Sequence, residues 1–136
     1  MVGGAAPAGD AEQSLVMIVG SRGNLCTGAA LGRDLVLTAA HCVAPAATYS
    51  VVAFKGAPAI AIRTISVHPR YDPQGYALNR ATADVALLKL AAALPARIAP
   101  AALNRANAPV AAGDRFVVAG FGVTAAGSDA GIGVAR

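Results

Sequence analysis

Tryptophan is missing from this sequence, and the other aromatic residues are few: three Phe and three Tyr in 136 residues. Any core must therefore be built from Val, Leu, Ile and Ala. Charged residues are scarce too, at 13% against 56% hydrophobic, a balance that excludes a disordered charged tail. The net charge is +4, from nine Arg and two Lys against seven acids. The basic residues stand singly, as at Arg22, Arg33, Lys55, Arg63, Arg70 and Arg80. Surfaces that bind nucleic acid cluster their cations and interleave aromatics, so a solvated basic surface is expected here and no nucleic-acid partner. No apolar run reaches the ~18–20 residues of a membrane span. His41, Lys89, Arg97 and several prolines interrupt them, and no membrane partner is expected. Residues 1–10 (MVGGAAPAGD) lack the basic start and apolar run of a signal peptide. A sustained 3.6-residue apolar period is also missing, so no long helix is expected.

What the chain does have is a series of short segments, many rich in β-branched residues. Residues 15–19, 35–38, 48–54, 59–67, 85–90 and 115–121 read as strands. Turn signals separate them, among them Gly20 to Asn24, Gly32 to Asp34, Gly56 to Pro58 and Pro69 to Gly75. Val16, Ile18, Val36, Leu37, Val85, Leu87 and Leu88 are the predicted packing residues. Strands at this spacing suggest an all-β barrel or sandwich. The length suits one domain, which buries roughly two-thirds of its unfolded surface. Residues 91–112 are rich in Ala and Pro, and Pro95, Pro100 and Pro109 predict an extended connection. Gly122 to Arg136 is rich in Gly, Ala and Ser and reads as a linker. No internal repeat is present.

Chemistry concentrates at two places. Residues 36–43 read VLTAAHCV, which sets His41 at the end of a strand behind two small residues. Small neighbours let the backbone turn tightly and present the imidazole. Residues 84–90 read DVALLKL, with Asp84 at the mouth of an apolar strand. A carboxylate there needs a partner, because desolvating an unpaired charge is costly. An imidazole N–H serves that purpose. The two cysteines, Cys26 and Cys42, allow one disulfide or two free thiols. A bridge between them would close a hairpin-sized loop and contribute about 3 kcal/mol.

With CTG at 26–28, TAAHC at 38–42 and DVALLKL at 84–90, the sequence resembles the N-terminal half of the trypsin-like (chymotrypsin-fold) serine proteases. VGG at 2–4 is similar to that family's mature amino terminus, and VHPRYD at 67–72 to its His-Pro-x-Tyr segment. GFGVT at 120–124 is similar to its Gly-Trp-Gly-x-Thr segment, with Phe121 in place of Trp. The resemblance implies an all-β fold, the six-stranded antiparallel Greek-key barrel that is the first of two. Residues 1–121 would form this barrel and 122–136 the inter-barrel linker, with the second barrel absent. It implies His41 as general base and acid, Asp84 as its orienter, and Cys26–Cys42 as a disulfide. It also implies peptide-bond hydrolysis on a protein or peptide substrate, no cofactor, and a secreted or periplasmic location.

The family's Gly-Asp-Ser-Gly-Gly nucleophile segment does not occur in these residues. None of Ser14, Ser21, Ser50, Ser66 and Ser128 has the flanking glycines that shape an oxyanion hole, and Ser128 in AGSDAG is the nearest mimic. No nucleophile is therefore expected in this chain, and the 136 residues alone are expected to be inactive. Met1 precedes Val2 where the family begins with a free Ile or Val. No metal site is expected: there is no C-x-x-C pair, and adjacent His41 and Cys42 would have difficulty binding one ion together. Asp72 alone offers too few oxygens for Ca²⁺, and His68 reads as a surface-turn histidine. A second reading is a non-catalytic single-barrel binding module derived from the same family. Retention of His41 and Asp84 argues against it. A half enzyme would expose an apolar inter-barrel face and could self-associate through it.

Overall fold

The computed structural model describes residues 9–103 and 109–122. Six strands run in chain order: β1 (Leu15–Gly20), β2 (Leu25–Ala30), β3 (Leu35–Thr38), β4 (Tyr49–Val52), β5 (Ala59–Val67) and β6 (Ala86–Leu90). They close into one antiparallel barrel with neighbour order β1-β2-β3-β6-β5-β4. Beyond the two tight hairpins β1–β2 and β2–β3, β4 returns beside β1, which is the Greek-key order. Closure removes every sheet edge.

The period of two along each strand decides which side chains fill the interior. Val16, Ile18, Val36, Val51 and Leu88 are wholly buried at its centre. On β6, Ala86, Leu88 and Leu90 point in while Leu87 and Lys89 point out. This corrects the sequence expectation for three residues. Leu37 is only half-buried and pairs with Leu87 on the outer face, and Val85 and Leu87 are 42% and 37% exposed. A continuous apolar run hides the phase of the pleat, so composition could not tell inside from outside.

Two strand expectations also change. β2 was not predicted, because LCTGAA carries no large β-branched residue. The small residues are what the packing needs there. A Cβ on Gly28 would lie 2.6 Å from Val36 Cγ1 and 3.1 Å from Ile18 Cδ1. Conversely, residues 115–121 were predicted as a strand and have only a single bridge, at Phe121. Their β-propensity has no ladder to join, and Phe116 is 79% exposed. Phe121 N–H donates instead to Thr27 Oγ1 at 2.9 Å, which ties this segment to β2.

Where described, the Ala/Pro-rich connection after β6 is free of helix, as expected, and works as a strap. Leu94 is buried in the core, and Arg97 stacks over the Phe54 ring at 4.2 Å. Ala101 N–H donates to the Ala30 carbonyl at 2.8 Å.

Leu88→Ala is expected to cost about 2–5 kcal/mol through the cavity it leaves, and Gly28→Ala about 1–3 kcal/mol through overpacking. Chemical denaturation measures both. Stabilities within error of the wild type would contradict this account of the core.

Candidate active site

The ladder between β3 and β6 sets the geometry. Thr38 pairs with Ala86 in antiparallel register, so the chain leaving β3 and the chain entering β6 meet at one rim of the barrel. Asp84 precedes that pairing by two residues, and His41 follows it by three.

After β3 the backbone stays extended at Ala39, then winds into a 3-10 turn over Ala40–Cys42. Cys42 N–H donates to the Ala39 carbonyl at 3.2 Å and Val43 N–H to the Ala40 carbonyl at 3.0 Å. Ala40 and Cys42 are buried, which anchors the turn and leaves the His41 side chain facing outward. Two further links hold it. The Cys26–Cys42 disulfide joins the turn to β2, and Asn24 Nδ2 donates to the Cys42 carbonyl at 3.2 Å. A Cβ on Gly20 would meet the Asn24 side chain, so a larger residue there would displace the group that bonds the Cys42 carbonyl.

Asp84 grips His41 at two points. Its Oδ1 accepts the His41 backbone N–H at 2.8 Å, and its Oδ2 lies 2.6 Å from His41 Nδ1. A carboxylate can only accept, so Nδ1 carries the proton and the Nε2 lone pair is left free. Burial pushes the Asp84 carboxyl up, but hydrogen bonds from the His41 ring and backbone, the imidazole charge and the Ala40 backbone together outweigh it. The net result holds Asp84 below the ordinary carboxylate range.

A cleft of about 470 Å³ opens beside this pair. Its far wall is the loop from Tyr71 to Thr82, which contributes Tyr71, Pro73, Tyr76 and Arg80. The loop is braced internally. Asp72 accepts from Gln74 N–H at 2.9 Å and from Arg80 Nη2 at 2.9 Å, and Arg80 N–H donates to the Gly75 carbonyl at 2.8 Å. Asn79 turns the chain with a φ of 51°, a conformation Asn tolerates. Sequence reasoning missed this wall, because Tyr76 and Arg80 carry no local signal beyond being polar or aromatic in a loop.

The other expectations find their places. His68 sits in a turn, its Nδ1 accepting the Arg70 N–H at 3.1 Å. Asp72 is engaged by the loop itself. Ser21 Oγ accepts the Thr48 N–H at 3.2 Å, and Ser50 and Ser66 lie on β4 and β5. Ser128, the VGG segment at 2–4 and the linker beyond 122 lie outside the described residues. The expected obstacle to sharing a metal between His41 and Cys42 is not geometric. Cys42 Sγ is 3.6 Å from His41 Nε2, and the donor atoms of Cys26, His41 and Cys42 lie within 4.8 Å of one another. What occupies the sulfurs is the disulfide. Among the described residues no helix is long and apolar enough to cross a membrane.

The closed six-stranded antiparallel barrel matches the first barrel of the chymotrypsin fold, to which the sequence was likened. The family model described as Trypsin matches residues 1–131, and the chain belongs to that family. A solved structure described as "Structure of GrC" superposes with a TM-score of 0.73 at 27% identity. That match covers 95% of this chain and 60% of the other, so the chain spans about three-fifths of that protein's length. Kallikrein-related peptidase 10 in complex with Zn²⁺ matches at 24% identity over 62% of this chain and 37% of that one; its TM-score of 0.49 is too low to carry any argument. No curated protein matches.

A carboxyl held low by its folded environment adds stability above its unfolded value of about 3.9, and that stability is lost as pH falls through the folded value. The melting temperature is therefore expected to fall more steeply below about pH 4 in the wild type than in Asp84→Asn. Thermal melts across the acid range measure this, and parallel pH dependences would contradict it.

Proposed function

We propose that this chain is the histidine- and aspartate-bearing part of a trypsin-like serine endopeptidase, whose nucleophilic serine lies outside these 136 residues. One observation carries the reading: the 2.6 Å contact between His41 Nδ1 and Asp84 Oδ2, backed by the 2.8 Å bond from the His41 backbone. Asp84 holds the imidazole in the tautomer whose Nε2 can accept a proton. In the reaction a serine Oγ attacks the scissile carbonyl while His41 Nε2 takes its proton. Asp84 stabilises the imidazolium, and His41 then gives the proton to the leaving amine. The cleft between His41 and Tyr76 would receive substrate on one side of the scissile bond.

The exposed apolar run Phe116-Val117-Val118 supports the expectation that another layer of protein covers this segment. The disulfide favours a secreted or periplasmic location. Residues 1–121 act as the barrel unit and 122–136 as the connection onward. The substrate is a protein or peptide, and no cofactor takes part.

The 136-residue chain is expected neither to hydrolyse casein nor to react with a fluorophosphonate. In the protein encoded through and beyond residue 136, His41→Ala is expected to lower kcat by on the order of 10⁴-fold or more. Fluorophosphonate labelling of the isolated chain would relocate the nucleophile into it. Full activity after His41→Ala would overturn the reading.

A further inference from the structure

Residue 42 is held from the β2 side at two points, and the second of them takes no direct part in proton transfer. Asn24 and Cys26 stand two apart where the chain enters β2, so the period of two turns both side chains to one face. The sulfur of Cys26 bonds that of Cys42, and Asn24 Nδ2 donates to the Cys42 carbonyl at 3.2 Å. A helical turn ends with carbonyls that lack a donor from the turn itself. The Ala40 carbonyl accepts from Val43 and Ala44 N–H at 3.0 and 2.8 Å, and Asn24 serves the Cys42 carbonyl from outside.

The hairpin turn that carries Asn24 holds the amide in place. Gly23 takes a φ of 83°, a conformation that favours glycine. Gly20 N–H donates to the Asn24 carbonyl at 3.0 Å and Gly23 N–H to the Gly20 carbonyl at 2.9 Å. Asn24 Oδ1 occupies the place that a Cβ on residue 20 would take. Ser21 exchanges bonds with Thr48: its N–H donates to the Thr48 carbonyl at 2.9 Å, and its Oγ accepts the Thr48 N–H at 3.2 Å. The hairpin is thus fastened both to the 3-10 turn and to the chain beyond it. A disulfide limits a separation but leaves rotation about the single bonds beside it. A hydrogen bond to a carbonyl, which prefers the plane of that group, also fixes the tilt of the peptide.

We propose that Asn24 is a positioning residue for His41: by holding the Cys42 peptide it keeps the His41 backbone N–H and Nδ1 on the two oxygens of Asp84 at once. Those contacts, at 2.8 and 2.6 Å, belong to one residue, and both depend on the tilt of the 3-10 turn. With the amide removed, the Cys42 carbonyl loses its donor and turns toward water. The 3-10 turn tilts with it, and the His41 ring spends part of its time away from Asp84. Asn24 does not line the cleft, so substrate binding is untouched. The consequence for catalysis rests on the protease reading; the effect on the ring does not.

The test reads the His41 tautomer in the 136-residue chain by NMR of the ring nitrogens at alkaline pH, where an unrestrained histidine favours the Nε2–H form. The wild type is expected to favour Nδ1–H. Asn24→Ala is expected to shift the ratio roughly three- to tenfold toward Nε2–H, the range set by one net hydrogen bond, with the disulfide and circular dichroism unchanged. Gly20→Ala, which pushes the amide aside, is expected to do the same and to add nothing in the Asn24→Ala background. In a longer, active form of the protein, kcat is expected to fall by the same factor while KM stays put. Should Asn24→Ala not fold, the wild type still decides: its Asn24 Nδ2 protons are expected to exchange with water about tenfold more slowly than those of a free amide. An unchanged tautomer ratio in folded Asn24→Ala, or freely exchanging Asn24 protons, would sink the positioning role and leave the protease reading standing. A wild type that favours Nε2–H would remove the contact that carries the protease reading, and the positioning role with it.

Discussion

The pairing of Thr38 with Ala86 is the constraint on which the rest of the site depends. Residues 41 and 84 lie 43 positions apart in the chain. Antiparallel pairing of β3 with β6 brings both to one rim, and it does so only because β1 has closed onto β4 and sealed the ladder around Ile18, Val36, Val51 and Leu88. A barrel has no free edge along which a strand can slip, and a slip of one residue would invert every side chain of β6. The buried core is thus also what aims the carboxylate.

Rigidity at the rim is built from several modest interactions. Burial of Ala40 and Cys42 fixes the turn, the disulfide ties it to β2, and Asn24 satisfies the Cys42 carbonyl. Asp84 then holds His41 by both its backbone and its ring. Each contact is worth roughly a kilocalorie or a few. Together they leave the imidazole exposed in one orientation, which a general base requires and an isolated surface histidine does not have. The same contacts set His41 Nε2 3.6 Å from Cys42 Sγ.

The cleft beside the pair belongs to a different part of the fold. Its wall, Tyr71 to Thr82, is a loop held by its own hydrogen bonds, centred on Asp72. Such a loop can change in sequence without disturbing the barrel. The His41–Asp84 pair is thus placed by the ends of β3 and β6 and by the 3-10 turn, while Tyr76 and Arg80, which line the cleft, sit on the loop.

The residues themselves determined the all-β class, the roles open to His41 and Asp84, and the pairing of Cys26 with Cys42 that the family resemblance implied. These depend on local signals and on contiguous motifs. Tertiary structure alone decided that LCTGAA is a strand while RFVVAGF is not, since a strand exists only where a neighbour offers a ladder and small residues are welcome where chains pack closely. It alone decided that Leu37 and Leu87 face outward, because an unbroken apolar run does not reveal its phase. It alone placed His41 Nε2 against Cys42 Sγ, because the orientation of a ring is set by the carboxylate that holds it, 43 residues away.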